Sequence, residues 1–169
     1  MNTRGEFIAV VLAADRTAND PIARKTGSAC KAIAPVGGMP MIIRVLDALE
    51  ASGMVKTIVV CGPPAAIIAE CPELEDRIRS GRAIWLPNLD SPSRSANSAL
   101  AQIDQQAPVL LTTADHALLT PAIVQYFLTK SRAAGSDAAV GVVRYEDVAA
   151  AFPSSKRTVI KLRDGGLCG

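Results

Sequence analysis

The sequence predicts an α/β fold, a mostly parallel sheet flanked by helices, and three observations lead there. The first apolar run, Phe7, Ile8, Ala9, Val10, Val11 and Leu12, is apolar at every position rather than alternating, the pattern of a strand covered on both faces. Further short apolar runs alternate with segments of helical period, which calls for parallel strands joined by helical crossovers. Two polar clusters fall at the ends of such runs, after Leu12 and after Leu111, where sheets of this kind place their ligands.

After the first strand comes Asp15 to Cys30, rich in Asp, Arg, Asn, Pro, Thr, Gly and Ser and without helical or strand period. A loop beyond about a dozen residues is uncommon in a compact domain, and this one is expected to be functional. It leads to a lone lysine, Lys31, and then to a turn at Val36 to Pro40 with two glycines. Pro40 suits the first position of a helix, whose buried face is Met41, Ile42, Val45, Leu46 and Leu49 and which Gly53 closes. Lys56 to Val60 is a second buried strand ending at Cys61-Gly62-Pro63-Pro64, with Cys61 in the core. Ala65 to Arg79 is a helical segment split by Pro72, and Ala83 to Leu86 a third strand.

Asp90 to Arg94 reads as a turn, followed by Ala96, Ala99, Leu100 and Ile103 at helical spacing. Pro108 to Thr112 is a fourth buried strand, with Asp115-His116 beyond its end. Thr120-Pro121 caps and opens a helix whose apolar face is Ile123, Val124, Phe127 and Leu128. Asp137 to Val143 is expected as a fifth strand and Val159 to Leu162 as a sixth. The 169 residues fit one domain, 1–169, with a core of its own. The stop at Gly165-Gly166-Leu167-Cys168-Gly169, just after a strand, suggests that C-terminal elements are missing.

Composition excludes several functions. A net charge of +2 with acids and bases interspersed leaves no basic stripe for a nucleic-acid backbone. Cys30, Cys61, Cys71 and Cys168 lie far apart and make no CxxC pair or Cys/His ligand set. The polar start, Met1 to Glu6, and the shortness of the run after it fit neither a signal peptide nor a membrane span, so a cytoplasmic setting and no membrane partner are expected.

The chemistry lies in the two clusters, which this topology brings to one edge of the sheet. The first holds Arg16, Arg24, Lys25 and Lys31; the second holds Asp115 and His116. Cations beside a carboxylate are what a magnesium–nucleotide complex requires, since lysine neutralises phosphate oxygens and a carboxylate holds the metal. His116, the only histidine, reads as a neighbour lining the site rather than a base.

The motifs carrying these residues resemble a known family. Leu12-Ala13-Ala14, a loop, and then Lys31-Ala32-Ile33-Ala34-Pro35-Val36-Gly37-Gly38-Met39-Pro40-Met41 are similar to the signature of sugar-phosphate and cofactor nucleotidyltransferases. The nearest subgroup is that of molybdenum cofactor guanylyltransferase, the MobA-like NTP transferases. Ser95-Ala96-Asn97-Ser98-Ala99-Leu100 and Leu111 to Thr120 continue the likeness in the family's order, over roughly residues 7 to 130. The resemblance implies a three-layer Rossmann-like fold of the nucleotide-diphospho-sugar transferase type, also called glycosyltransferase-A. It implies an enzyme that moves an NMP from an NTP, CTP or GTP above all, to a small phosphorylated or hydroxylated acceptor, releasing pyrophosphate with Mg²⁺ as cofactor.

Residue by residue, the resemblance implies that Leu12, Ala13 and Ala14 border the base and that Asp15 and Arg16 belong to the nucleotide loop. Lys31 would neutralise the triphosphate, Asn97 and Ser98 would lie near base or ribose, and Asp115 would bind Mg²⁺. Lys31 and Asp115 are thus the expected catalytic pair. Two departures stand out: Asp15 occupies a position where the family usually has glycine, and Thr17 another. A carboxylate at Asp15 is expected to repel a triphosphate unless it turns away or binds metal. Two other functions use the same sheet, a non-catalytic nucleotide-binding module and a metal-dependent glycosyltransferase using an NDP-sugar.

Overall fold

A computed structural model describes residues 6–15, 20–104, 106–154, 158–162 and 165–168. The chain forms two compact units, residues 1–128 and 129–169. No helix among the described residues is long and apolar enough to cross a membrane.

The first unit is built on a four-stranded parallel sheet in the order β5-β4-β1-β6. These strands are β1 (Phe7–Leu12), β4 (Val55–Cys61), β5 (Ile84–Leu86) and β6 (Val109–Thr113). Central β1 pairs Val10 with Val59 of β4 on one side and with Leu111 of β6 on the other. Its uninterrupted apolar sequence has a direct cause, because successive side chains point to opposite faces and both faces are covered. Phe7, Ala9 and Val11 join the core beneath α2 (Met41–Ala51) and α4 (Pro72–Arg79), where Ile42, Val45, Leu46, Leu49 and Leu74 are buried. Val124 and Leu128 of α6 (Pro121–Ala134) complete that layer. Ile8 and Val10 face the other way, with Val59 and Cys61, against Ala99 of α5 (Pro92–Leu100). The outcome is three layers, as the family resemblance implies.

The connection between β1 and α2 holds more structure than its sequence suggests. A six-residue helix, α1 (Pro21–Thr26), lies inside the stretch expected to be irregular. Asp20 caps it, its Oδ1 accepting the Ile22 and Ala23 amides at 2.8 and 3.3 Å, and Gly27 closes it in the left-handed conformation. Six residues are too few for a period to show, so only the caps could have revealed it. A single 3₁₀ turn, Lys31–Ile33, follows. The two-residue strands β2 (Pro35–Val36) and β3 (Met39–Pro40) then make a hairpin through Gly37 and Gly38, both with positive φ. Pro40 proves to be the residue before the helix rather than its first, and the Met41 amide is held by the Ala34 carbonyl at 3.0 Å. Pro72 does divide the next helical segment, into α3 (Ala65–Ile68) and α4. Helix α5 opens at Pro92, inside the expected turn, because Ser91 caps it by accepting the Arg94 amide.

The second unit corrects two expectations. Asp137–Val142 forms no strand and is exposed; only Val143–Arg144, as β7, pairs, and it does so antiparallel with β9 (Gly165–Cys168). An apolar run becomes a strand only against a partner edge, and this one meets a partner only at its last residue, Val143. The sixth strand exists as β8 (Ile160–Leu162) but pairs antiparallel with β9 in a small sheet of order β7-β9-β8, apart from the parallel sheet. Helix α7 (Tyr145–Ala151) was not foreseen.

All four cysteines are buried and free, and burial pushes the thiols of Cys30, Cys61 and Cys71 up from their ordinary values. Leu46 is fully buried between α2 and the sheet. Leu46→Ala is expected to lower stability by about 2–5 kcal/mol, read from urea unfolding of the two proteins. A loss below about 1 kcal/mol would contradict the packing described.

Candidate active site

The carboxyl ends of β1, β4 and β6 lie side by side, and their ladder continues past the strands. The Ala13 amide donates to the Cys61 carbonyl, the Ala114 amide to Leu12 and the Gly62 amide to Leu86, each at 2.9 Å. Three loops thus leave the sheet from fixed positions. Gly62 has φ +77°, and a Cβ there would sit 3.3 Å from both the amide and the Cβ of Ala14, with Asn88 equally near. Glycine is what allows the β4 loop to close against the β1 loop.

Between β1 and α5 lies a cleft of about 380 Å³, within the size range of small-molecule sites. Leu12, Ala14 and Asp15 form one wall, Cys61 the floor, and Leu89 to Pro92 with Ser95 the other wall. Ser95 fixes that second wall, accepting the Leu89 amide at 2.8 Å and donating to the Ser91 carbonyl at 3.1 Å. Two of the three residues expected to border a base, Leu12 and Ala14, therefore face the cleft. Ala13 alternates to the other side and is buried in the core.

Beside Asp15 the two clusters meet. The Lys31 ammonium donates to Asp115 Oδ2 at 2.7 Å, across 84 residues of sequence, and Thr113 Oγ1 donates to the second oxygen, Oδ1. These side chains are 25% and 36% exposed, so the pair is open to ligands rather than sealed in the fold. Burial by itself would raise the Asp115 carboxyl; the hydrogen bonds from Lys31 and Thr113, with the nearby Lys31 and His116, outweigh it and hold the group below the usual carboxylate range. Asp115 is therefore held as the carboxylate, with Oδ2 engaged by the Lys31 ammonium. His116 Nδ1 lies 3.1 Å from Thr112 Oγ1, and His116 is not among the residues lining the cleft.

Asp15 is the unexpected member. Its carboxylate takes the backbone amide of Lys31 on both oxygens, each at 3.1 Å. Burial raises its pKa more than that hydrogen bond lowers it.

The remaining expected residues distribute as follows. Arg16 and Thr17 lie outside the described residues. Arg24 and Lys25 are exposed in the last turn of α1. Asn97 and Ser98 lie further along α5 than the residues that line the cleft, which are Ser91, Pro92 and Ser95. None of those three, nor Gly62 or Thr113, carries an expected site role from the sequence. The signals were present in Ser91-Pro92 as a helix start and in Gly62-Pro63 as a turn at a strand end.

Among the described residues no three His, Cys, Asp or Glu side chains gather as a ready-made metal cage. Asp115 nevertheless fits a Mg²⁺ ion, which is commonly held by one or two carboxylates together with substrate phosphates and water. A carboxyl depressed in the fold contributes stability that is fully present above its unfolded pKa of about 3.9 and lost as pH falls through the folded value. The margin of the wild type over Asp115→Asn is thus expected to hold from about pH 7 to about pH 5 and to shrink below about pH 4, read from urea midpoints. A margin independent of pH would remove the ion pair from the folded state.

The family model of the MobA-like NTP transferase domain matches residues 9–163. No curated protein matches in sequence. Among solved structures, a hypothetical transferase from Thermus thermophilus is 29% identical with a TM-score of 0.69, over 96% of this chain and 62% of that one. CMP:2-keto-3-deoxy-manno-octonic acid synthetase, solved with CTP, is 18% identical with a TM-score of 0.56, over 95% and 63%. A Mycobacterium tuberculosis protein solved with manganese is 18% identical with a TM-score of 0.50, over 76% and 60%. The chain spans about three fifths of the length of these structures.

Proposed function

The chain belongs to the family of MobA-like NTP transferase domains, and from that premise we propose that it moves a nucleoside monophosphate from an NTP to a small acceptor. The observation that carries this reading is the Lys31–Asp115 pair at 2.7 Å, which sets a cation and an ionised carboxylate side by side next to a cleft. In this reading the base lies in the cleft against Leu12 and Ala14, and the triphosphate extends past Asp15 to Lys31.

Nucleotidyl transfer needs positioning and charge neutralisation more than covalent help from the protein. The acceptor, a phosphate oxygen or a hydroxyl oxygen that gives up its proton to water, attacks the α-phosphorus in line. The bond from that phosphorus to the oxygen bridging to the β-phosphate breaks, and pyrophosphate leaves with the electron pair. Lys31 offsets the charge that gathers on the departing phosphates, a task suited to a mobile ammonium. Asp115 would hold Mg²⁺, which supplies charge neutralisation at the phosphate oxygens. Thr113 keeps one Asp115 oxygen engaged and so fixes the orientation of the carboxylate. CTP and GTP are the proposed donors. The CTP bound by one structural neighbour supports the first, and manganese in another supports a divalent cation.

A thermal-shift series with CTP, GTP, ATP, UTP and representative NDP-sugars, each with and without Mg²⁺, tests the proposal. At about 100 times its Kd a ligand adds about 2.7 kcal/mol to apparent stability, an easily measured shift. One NTP stabilising only with metal is the expected result; a preference for an NDP-sugar would mean glycosyl transfer, and binding without pyrophosphate release a non-catalytic module. With the donor in hand, Asp115→Asn is expected to reduce metal-dependent pyrophosphate release by about 100-fold or more while leaving the fold intact. Unchanged turnover would refute the metal role of Asp115.

A further inference from the structure

The 3₁₀ turn that carries Lys31 has no cap of its own. Cys30 precedes it in extended conformation, and the first amide of a helical turn has no partner within the turn, so the Lys31 amide needs one from elsewhere. Asp15 supplies it from the end of β1, sixteen residues earlier, with both carboxylate oxygens 3.1 Å from the Lys31 nitrogen. A carboxylate accepting a backbone N–H is among the stronger hydrogen bonds of a protein.

Lys31 is consequently held at two ends. Its backbone is tied to the end of β1 through Asp15, and its ammonium reaches Asp115 beyond the end of β6. A lysine side chain is a long, flexible stem, and its point of attachment decides how much freedom must be lost before the charge reaches a ligand. We propose that Asp15 is a positioning residue, a strut that anchors the Lys31 backbone so that its ammonium is presented to the triphosphate. The purpose of the strut rests on the nucleotidyl-transfer reading, whereas its existence does not. The strut also accounts for how a carboxylate is tolerated in a nucleotide loop, since both oxygens are directed at an amide of the protein.

Three variants decide the matter, assayed with the NTP and Mg²⁺ combination that the thermal-shift series selects. Asp15→Asn keeps a carbonyl oxygen for the Lys31 amide and removes the charge; Asp15→Gly removes both. The strut predicts that Asp15→Asn retains kcat/KM for the NTP within about threefold, and that Asp15→Gly loses about tenfold, the scale of a lost cap. In a Lys31→Ala background, Asp15→Gly should cost nothing further, because its effect passes through the lysine. Equal losses in both backgrounds would reduce Asp15 to general support of the fold, and tighter NTP binding by both Asp15 variants would make it a repulsive charge; either result overturns the proposal.

A second measurement is independent of nucleotide. Hydrogen exchange at the Lys31 amide, followed by NMR in the ligand-free protein, is expected to accelerate about tenfold or more in Asp15→Gly and to stay near the wild-type rate in Asp15→Asn. An unchanged rate in Asp15→Gly overturns the strut whatever the enzyme does. A wild type that binds no NTP overturns the nucleotidyl-transfer reading, and the exchange rates then decide the strut alone.

Discussion

Everything at the candidate site hangs on β1 being buried on both faces. A central strand with neighbours on both edges and helices on both sides has no freedom to slide. A one-residue slip would turn Phe7, Ala9 and Val11 out of one core layer and Ile8 and Val10 out of the other. Register fixed in this way fixes where the strand stops. The ladder bonds from Ala13 to Cys61 and from Ala114 to Leu12 then carry that rigidity one residue beyond the strands, to the points where the loops begin. The polar residues are thus presented by loops, but their starting positions are set by the apolar core.

Charge at these ends is only partly buried. Lys31 stands between two carboxylates, one at its amide and one at its ammonium, and the two respond in opposite directions. Asp15 is raised because burial dominates, and Asp115 is lowered because hydrogen bonds and neighbouring charge outweigh burial. The first carboxylate is committed to the backbone, while the second keeps its side chain open to solvent and ligands. The network in which Arg77 of α4 meets Asp47 and Glu50 of α2 shows a contrast in its cation, since Arg77 is buried while its two carboxylates stay partly exposed. There the guanidinium is enclosed and serves to pin two helices together.

The parallel sheet was legible because its signals are redundant: the unbroken apolar run of β1, the helical spacing of Met41 to Leu49 and the proline at position 72 each point to the same architecture. Lys31 and Asp115 were legible because strand ends can be read from where apolar runs stop. Asp15 was seen as a misfit and not as a strut, since its partner is a backbone amide and amides leave no trace in sequence. Helix α1 was hidden by its length. The expected strand at Asp137–Val143 failed for the opposite reason: its residue types favour pairing, but sequence does not say whether a free edge is available. Ser91 and Ser95 line the cleft where the motif points to Asn97 and Ser98, because a family motif marks a segment of helix without marking which of its turns faces the cleft.

The ion pair between Lys31 and Asp115 gives the two ligands proposed for this site a shared toll. A phosphate that captures the ammonium strands the carboxylate, and a cation that captures the carboxylate strands the ammonium. Arriving together, they exchange one pair of contacts for two and leave neither group alone. On the proposed function, occupancy of either subsite would therefore raise affinity at the other, and by thermodynamic reciprocity the enhancement would be the same in both directions. A contact between two side chains of the resting protein would become, under that proposal, a coupling free energy between nucleotide and metal.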